Sequence, residues 1–140
     1  MKPPLAILVI TAMFSNSVAW AGTCPNWSSK FDEIRNPQVV QELRSRNNWD
    51  NLIEQSGGSD AVIITAKSTI LDARSRLQTA QKVAAQLAVN DSDARSRVTW
   101  DQCSSASNAL MAAKCEALNM QEVILSMEGT IELAQCRLGR

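Results

Sequence analysis

The chain is expected to fold as an all-α protein: an elongated up-and-down helical bundle with heptad-patterned, Ala-rich seams, stabilised by disulfides. Three observations predict this. Helix breakers are scarce, since beyond residue 21 glycine occurs only at Gly22, Gly57, Gly58, Gly129 and Gly139 and proline only at Pro25 and Pro37. Apolar residues recur in alternating steps of three and four along two long stretches, the period of helices packed side by side. Four cysteines, Cys24, Cys103, Cys115 and Cys136, follow a stretch with the features of an export signal, and an even cysteine count in an exported chain favours disulfides.

Residues 1–21 read as a secretory signal peptide. Lys2 supplies the positive start, residues 5–14 are an apolar run, and Ala19-Trp20-Ala21 fits the small-x-small cleavage pattern. The run is too short to span a bilayer, and no later run approaches that length, so no membrane span is expected in the mature chain. A lipid anchor on Cys24 is disfavoured, because Ala21 stands where such signals place a Leu-like residue. The expected location is periplasmic or extracellular. Removing the leader takes Lys2 with it and leaves 13 basic against 14 acidic residues, a net charge of −1. That near-neutral balance gives no electrostatic case for nucleic acid or an anionic membrane as the main partner.

The N-terminal segment, 22–36, carries Trp27, Phe31 and Ile34 at helical spacing, so Ser28 or Ser29 should start a short helix. A helical domain is expected over 37–140. Asn36-Pro37 is an N-cap followed by proline at the first helical position, and opens a helix over 37–56 with Val39, Val40, Leu43, Leu52 and Ile53 as its stripe. Gly57-Gly58 ends it. Ser59 or Asp60 then caps a helix over 60–89. Its seam is Ile63, Ala66, Ile70, Ala73, Leu77, Ala80, Ala84 and Leu87. Asn90-Asp91-Ser92-Asp93 breaks it, and Ser92 should cap the next helix, over 93–117. A second seam in one phase follows: Cys103, Ala106, Leu110, Ala113, Ala117, Met120, Ile124, Met127, Ile131, Ala134 and Leu138.

Unbroken phase favours one helix from Cys103 to Leu138, whereas the cysteines favour two. On a single helix Cys103 and Cys115 would stand about 18 Å apart, and a disulfide needs Cα atoms within roughly 7 Å. Two of the three C-terminal cysteines would then have to find another chain, which makes a homodimer the alternative. A turn near Asn119 removes the conflict, and Asn119 with Glu122 has the form of a capping box. Helices over 93–117 and 120–138 would bring Cys103 level with Cys136 and leave Cys115 for Cys24. That pairing is the expectation.

Asp72-Ala73-Arg74-Ser75-Arg76 recurs identically as Asp93-Ala94-Arg95-Ser96-Arg97, with an echo at Glu42-Leu43-Arg44-Ser45-Arg46. Each copy sets an acid four residues before an arginine, the order that forms a helical ion pair. Solvated helix faces account for this pattern, and an Arg-lined face for an anionic partner is the functional reading of Arg74, Arg76, Arg95 and Arg97. Trp27, Trp49 and Trp100 are candidate partner contacts, because tryptophan is enriched at interface hot spots. The overhang of the 60–89 helix and the segment around Trp27 are the expected binding surfaces.

No histidine is present, which removes the commonest general base and metal ligand. The cysteine spacings fit neither a zinc motif nor CxxC. Glu128 and Glu132 share a helix face as two like charges, and no nucleophile stands beside a base. No enzyme activity, metal or cofactor is therefore expected. The general plan is similar to minor-pilus subunits of type IV secretion and conjugation systems, and to small periplasmic lysozyme inhibitors with cysteine-bearing helices. The similarity is one of architecture and carries no site residues. The expected function is a secreted, non-enzymatic helical interaction protein of the bacterial envelope with a protein partner, such as an accessory or pilus-associated component. The alternative is a periplasmic inhibitor or immunity protein against a cell-wall-degrading enzyme.

Overall fold

The computed structural model describes residues 23–139. The expected signal peptide, residues 1–21, lies outside them. Among the described residues the secondary structure is helical and there is no strand. A 3₁₀ turn at Ser29–Glu33 is followed by α1 (Pro37–Ser45), α2 (Trp49–Gln55), α3 (Ser59–Leu87), α4 (Asp91–Arg95), α5 (Trp100–Cys103) and α6 (Ala109–Leu138).

The short turn starts at Ser28, whose side chain accepts from the Lys30 N–H. Asn36 caps α1 through its side chain, with Pro37 at the first position. The helix expected over 37–56 is two helices. Arg46 leaves helical geometry, and Asn48 opens α2 by accepting from the Asn51 N–H. This break turns Trp49 inward, where its ring stacks on Phe31 with centroids 6.0 Å apart. Gly57 and Gly58 hold φ of 102° and 97°, conformations that cost side-chain-bearing residues heavily. Gly58 itself is the N-cap of α3, with no side-chain cap, so neither Ser59 nor Asp60 takes that role.

The region expected as one helix over 93–117 is divided. Asn90, not Ser92, caps α4. A capping box on Thr99 and Gln102 opens α5. Residues 104–108 read Ser-Ser-Ala-Ser-Asn, a run that favours caps and turns over helix interior, and Asn108 caps α6 by accepting from the Met111 N–H. The expected turn near Asn119 does not form, because α6 runs unbroken past it. The expected disulfides are corrected too: Cys24 bonds Cys136 and Cys103 bonds Cys115. The break at 104–108 lets Cys103 fold back on α6, with Cα atoms 5.6 Å apart. Both bridges thus close within one chain.

α3 and α6 form an antiparallel hairpin. Lys67 and Ile70 lie beside Ile131 and Glu132, while Ala80 and Val83 lie beside Ala109 and Ala113. Ala66, Ile70, Ala73 and Ala80 of α3 are buried, as are Ala113, Met120 and Ala134 of α6. The C-terminal half of α6 is also covered on its other side. Glu122, Ser126, Gly129, Thr130, Leu133 and Arg137 are buried there. The cover is the N-terminal segment with α1 and α2, whose Phe31, Ile34, Leu43, Trp49 and Ile53 form one cluster with Leu133 and Ala134. The segment expected to lead into the domain therefore supplies much of its core.

Gly129 makes the closest join. A Cβ there would stand 2.3 Å from Phe31 Cε1, and Phe31 is 0% exposed. Gly129→Ala is expected to destabilise the protein by roughly 1–3 kcal/mol through overpacking, although alanine is the better helix former by about 1 kcal/mol. A thermal melt checks this, and a raised Tm would show that Phe31 yields without cost.

Candidate interaction surface

A rigid frame is built first. The Glu122 carboxylate is buried, at 4% exposure. Its Oε1 accepts from the Arg35 N–H at 2.9 Å, the Asn36 N–H at 3.1 Å and Trp100 Nε1 at 2.7 Å. It so ties the start of α1 and the α5 turn to α6. Arg137, with a side chain 4% exposed, donates through Nε to Asp50 Oδ1 at 2.7 Å. Its other nitrogens donate to Leu133 O, Pro25 O and Asn26 Oδ1. Ser28 Oγ donates to Glu132 Oε2 at 2.6 Å. With the two disulfides, these bonds fasten the N-terminal segment along α6, so the exposed face of the hairpin is presented on a fixed backbone.

That face carries two of the most exposed large apolar side chains. Ile64 and Leu71 of α3 are 68% and 67% exposed, and stand seven residues apart, which places them on one side of the helix. Leu71 borders a groove of about 490 Å³ between α3 and α6. Lys67 and Arg74 line its α3 edge and Glu128 and Glu132 its α6 edge, with Ile70 and Ile131 between and Lys30 at one end. The groove is thus apolar along the middle and oppositely charged at its two rims.

The tryptophans fall elsewhere. Trp49 is buried in the core. Trp27 packs edge-on to Phe31 and donates from Nε1 to Asp32 Oδ1, with the Arg44 guanidinium 5.6 Å above its ring. Trp100 is half-buried and bonded to Glu122. The arginines separate. Glu42–Arg46 is the one pair of the three expected from the repeat that forms among the described residues, at 2.7 Å. Arg76 reaches across the hairpin to Glu116 at 2.7 Å instead of bonding Asp72. Arg74 lines the groove. Arg95 pairs loosely with Asp91 at 3.6 Å. Arg97 lies beyond the end of α4 and cannot use the helical spacing to Asp93.

Sequence reasoning missed Ile64 and Leu71. The signal was present, since both are large apolar residues off the seam phase of an otherwise polar outer face. Glu128 and Glu132, two like charges on one helix face by sequence, meet an opposing basic rim across the groove. Among the described residues no group of three or more His, Cys, Asp or Glu could hold a metal ion. No described helix is long and apolar enough to cross a membrane. Comparison with protein families, curated proteins and solved structures finds no match to the chain.

Proposed function

We propose that this chain is an exported, non-enzymatic helical interaction protein of the bacterial envelope, an assembly component whose α3–α6 face docks onto a second copy of itself. The observation that carries this reading is the charge pattern around Leu71. Lys67 and Arg74 lie level with Glu128 and Glu132 across one groove. Two copies related by a two-fold axis along the hairpin set the basic rim of each against the acidic rim of the other. Such a face is self-complementary, as an isologous interface must be. The leucines close over the apolar centre, and the pair of hairpins completes an up-and-down four-helix bundle. The leader-like N-terminus and the two disulfides support export, and the near-zero net charge offers little resistance to self-association.

Sedimentation of the oxidised protein over a wide concentration range tests this. Dimers that grow with concentration are expected. Leu71→Asp should weaken them by about a hundredfold or more, because each copy loses one buried leucine. Lys67→Glu with Arg74→Glu should be monomeric, and so should Glu128→Lys, while an equimolar mixture of these two proteins should form mixed dimers. A strict monomer, or dimers indifferent to all these changes, would remove the proposal.

A further inference from the structure

The identical pentapeptides at 72–76 and 93–97 meet different surroundings, and the contrast marks a second site. In the first copy the charges are balanced by acids of α6: Arg76 bonds Glu116, and Arg74 shares a groove with Glu128 and Glu132. In the second copy α6 supplies no acid, and Arg95 has only its loose pair with Asp91 on its own helix, at 3.6 Å. Arg95 and Arg97 line a pocket of about 560 Å³ between the last turns of α3, the first half of α6 and residues 94–98. Lys114 of α6 is the third cation there. Its ammonium donates to the Ser96 carbonyl at 2.7 Å, to Ser96 Oγ at 2.8 Å and to the Asp93 carbonyl. All three acceptors are neutral oxygens, so the lysine is held in place without being neutralised. No carboxylate among the described residues lines the pocket, and Arg97 has no ion-pair partner among them.

Its helical wall is largely apolar, with Ala84, Ala117 and Leu118 flanked by Gln81 and Gln121. A concave site of this volume with an apolar wall and a few convergent polar groups has the build of a small-molecule pocket. Three cations line the pocket and only Arg95 has a carboxylate partner; this balance selects an anionic head, and guanidinium groups suit carboxylate and phosphate oxygens. The geometry points to a binding site for a small anionic amphiphile, a carboxylate or phosphate carried on an apolar body, with Arg97 and Lys114 on the head and the Ala84–Leu118 wall along the body. This site lies further along the same side of the hairpin and shares no lining residue with the docking groove.

Titration calorimetry of the oxidised full chain tests the site, with four probes below their micelle concentrations: dodecanoate, dodecyl phosphate, inorganic phosphate and neutral dodecyl maltoside. Saturable binding of the two anionic amphiphiles is expected, tighter than that of phosphate or the maltoside. The two anionic probes distinguish a carboxylate source from a phosphate source. Arg97→Gln removes a side chain without an ion-pair partner and should weaken both by about tenfold or more, the loss of one charge-assisted contact. Lys114→Gln should act likewise, and Arg74→Gln, in the other groove, should not. Equal binding of the maltoside would overturn the proposal, as would affinities unchanged by Arg97→Gln. Phosphate bound as tightly as dodecyl phosphate would also overturn it, since the apolar wall would then contribute nothing.

Discussion

Removing the Cys24–Cys136 bridge with paired alanine substitutions should cost about 5 kcal/mol of stability, against about 3 kcal/mol for the Cys103–Cys115 bridge. The difference comes from the unfolded chain. The first bridge spans 112 residues and the second 12, and loop-closure entropy rises with the logarithm of loop length. The first bridge also anchors the segment that carries Phe31, Trp49 and the rest of the N-terminal core against the end of α6. Its loss should therefore expose tryptophan before the hairpin melts. Urea unfolding of the oxidised protein and the two double variants, followed by fluorescence and by circular dichroism, checks both points. Equal costs, or the reverse order, would show that strain or residual structure in the unfolded chain outweighs loop entropy.

Glu122→Leu should destabilise by on the order of 4 kcal/mol, because it leaves the N–H groups of Arg35 and Asn36 and the Trp100 indole without their acceptor in a largely buried site. Glu122→Gln should cost roughly 1–2 kcal/mol, since the amide oxygen still accepts but carries no charge. Trp100→Phe removes only one donor and should loosen the connector between α3 and α6 without unfolding the domain. The order Leu, then Gln, in denaturant midpoints is the checkable outcome. If leucine were the milder change, the packing gained would exceed the hydrogen bonds lost, and Glu122 would not be the tie between α1, α5 and α6.

Several elements were legible residue by residue. The Asn36-Pro37 start, the Gly57-Gly58 break and the span of α3 follow from local rules: a capping oxygen, a fixed proline φ, two glycines with positive φ. The inward-facing alanines of α3 follow from period alone. The second seam shows where that reasoning stops. Its phase persists through Cys103 and Ala106, yet the helix begins at Ala109, because a serine-rich stretch and a disulfide override the pattern. Asn119 and Glu122 match a capping box in sequence, but Glu122 spends its oxygens on distant backbone groups, 86 and 87 positions away.

The candidate surfaces divide the same way. That arginines recur beside acids is a sequence fact. Which of them stay uncompensated depended on α6 bringing Glu116 to one copy and none to the other. By itself the sequence determined the helical class, the start at Pro37, the break at Gly57-Gly58 and the span of α3, since these depend on interactions within one turn. Cysteine pairing, the burial of the Glu122–Arg137 face of α6 and the charged rims of the groove were decided only by tertiary structure. Each is a contact between residues far apart in the chain, and neither period nor spacing constrains which distant partner arrives.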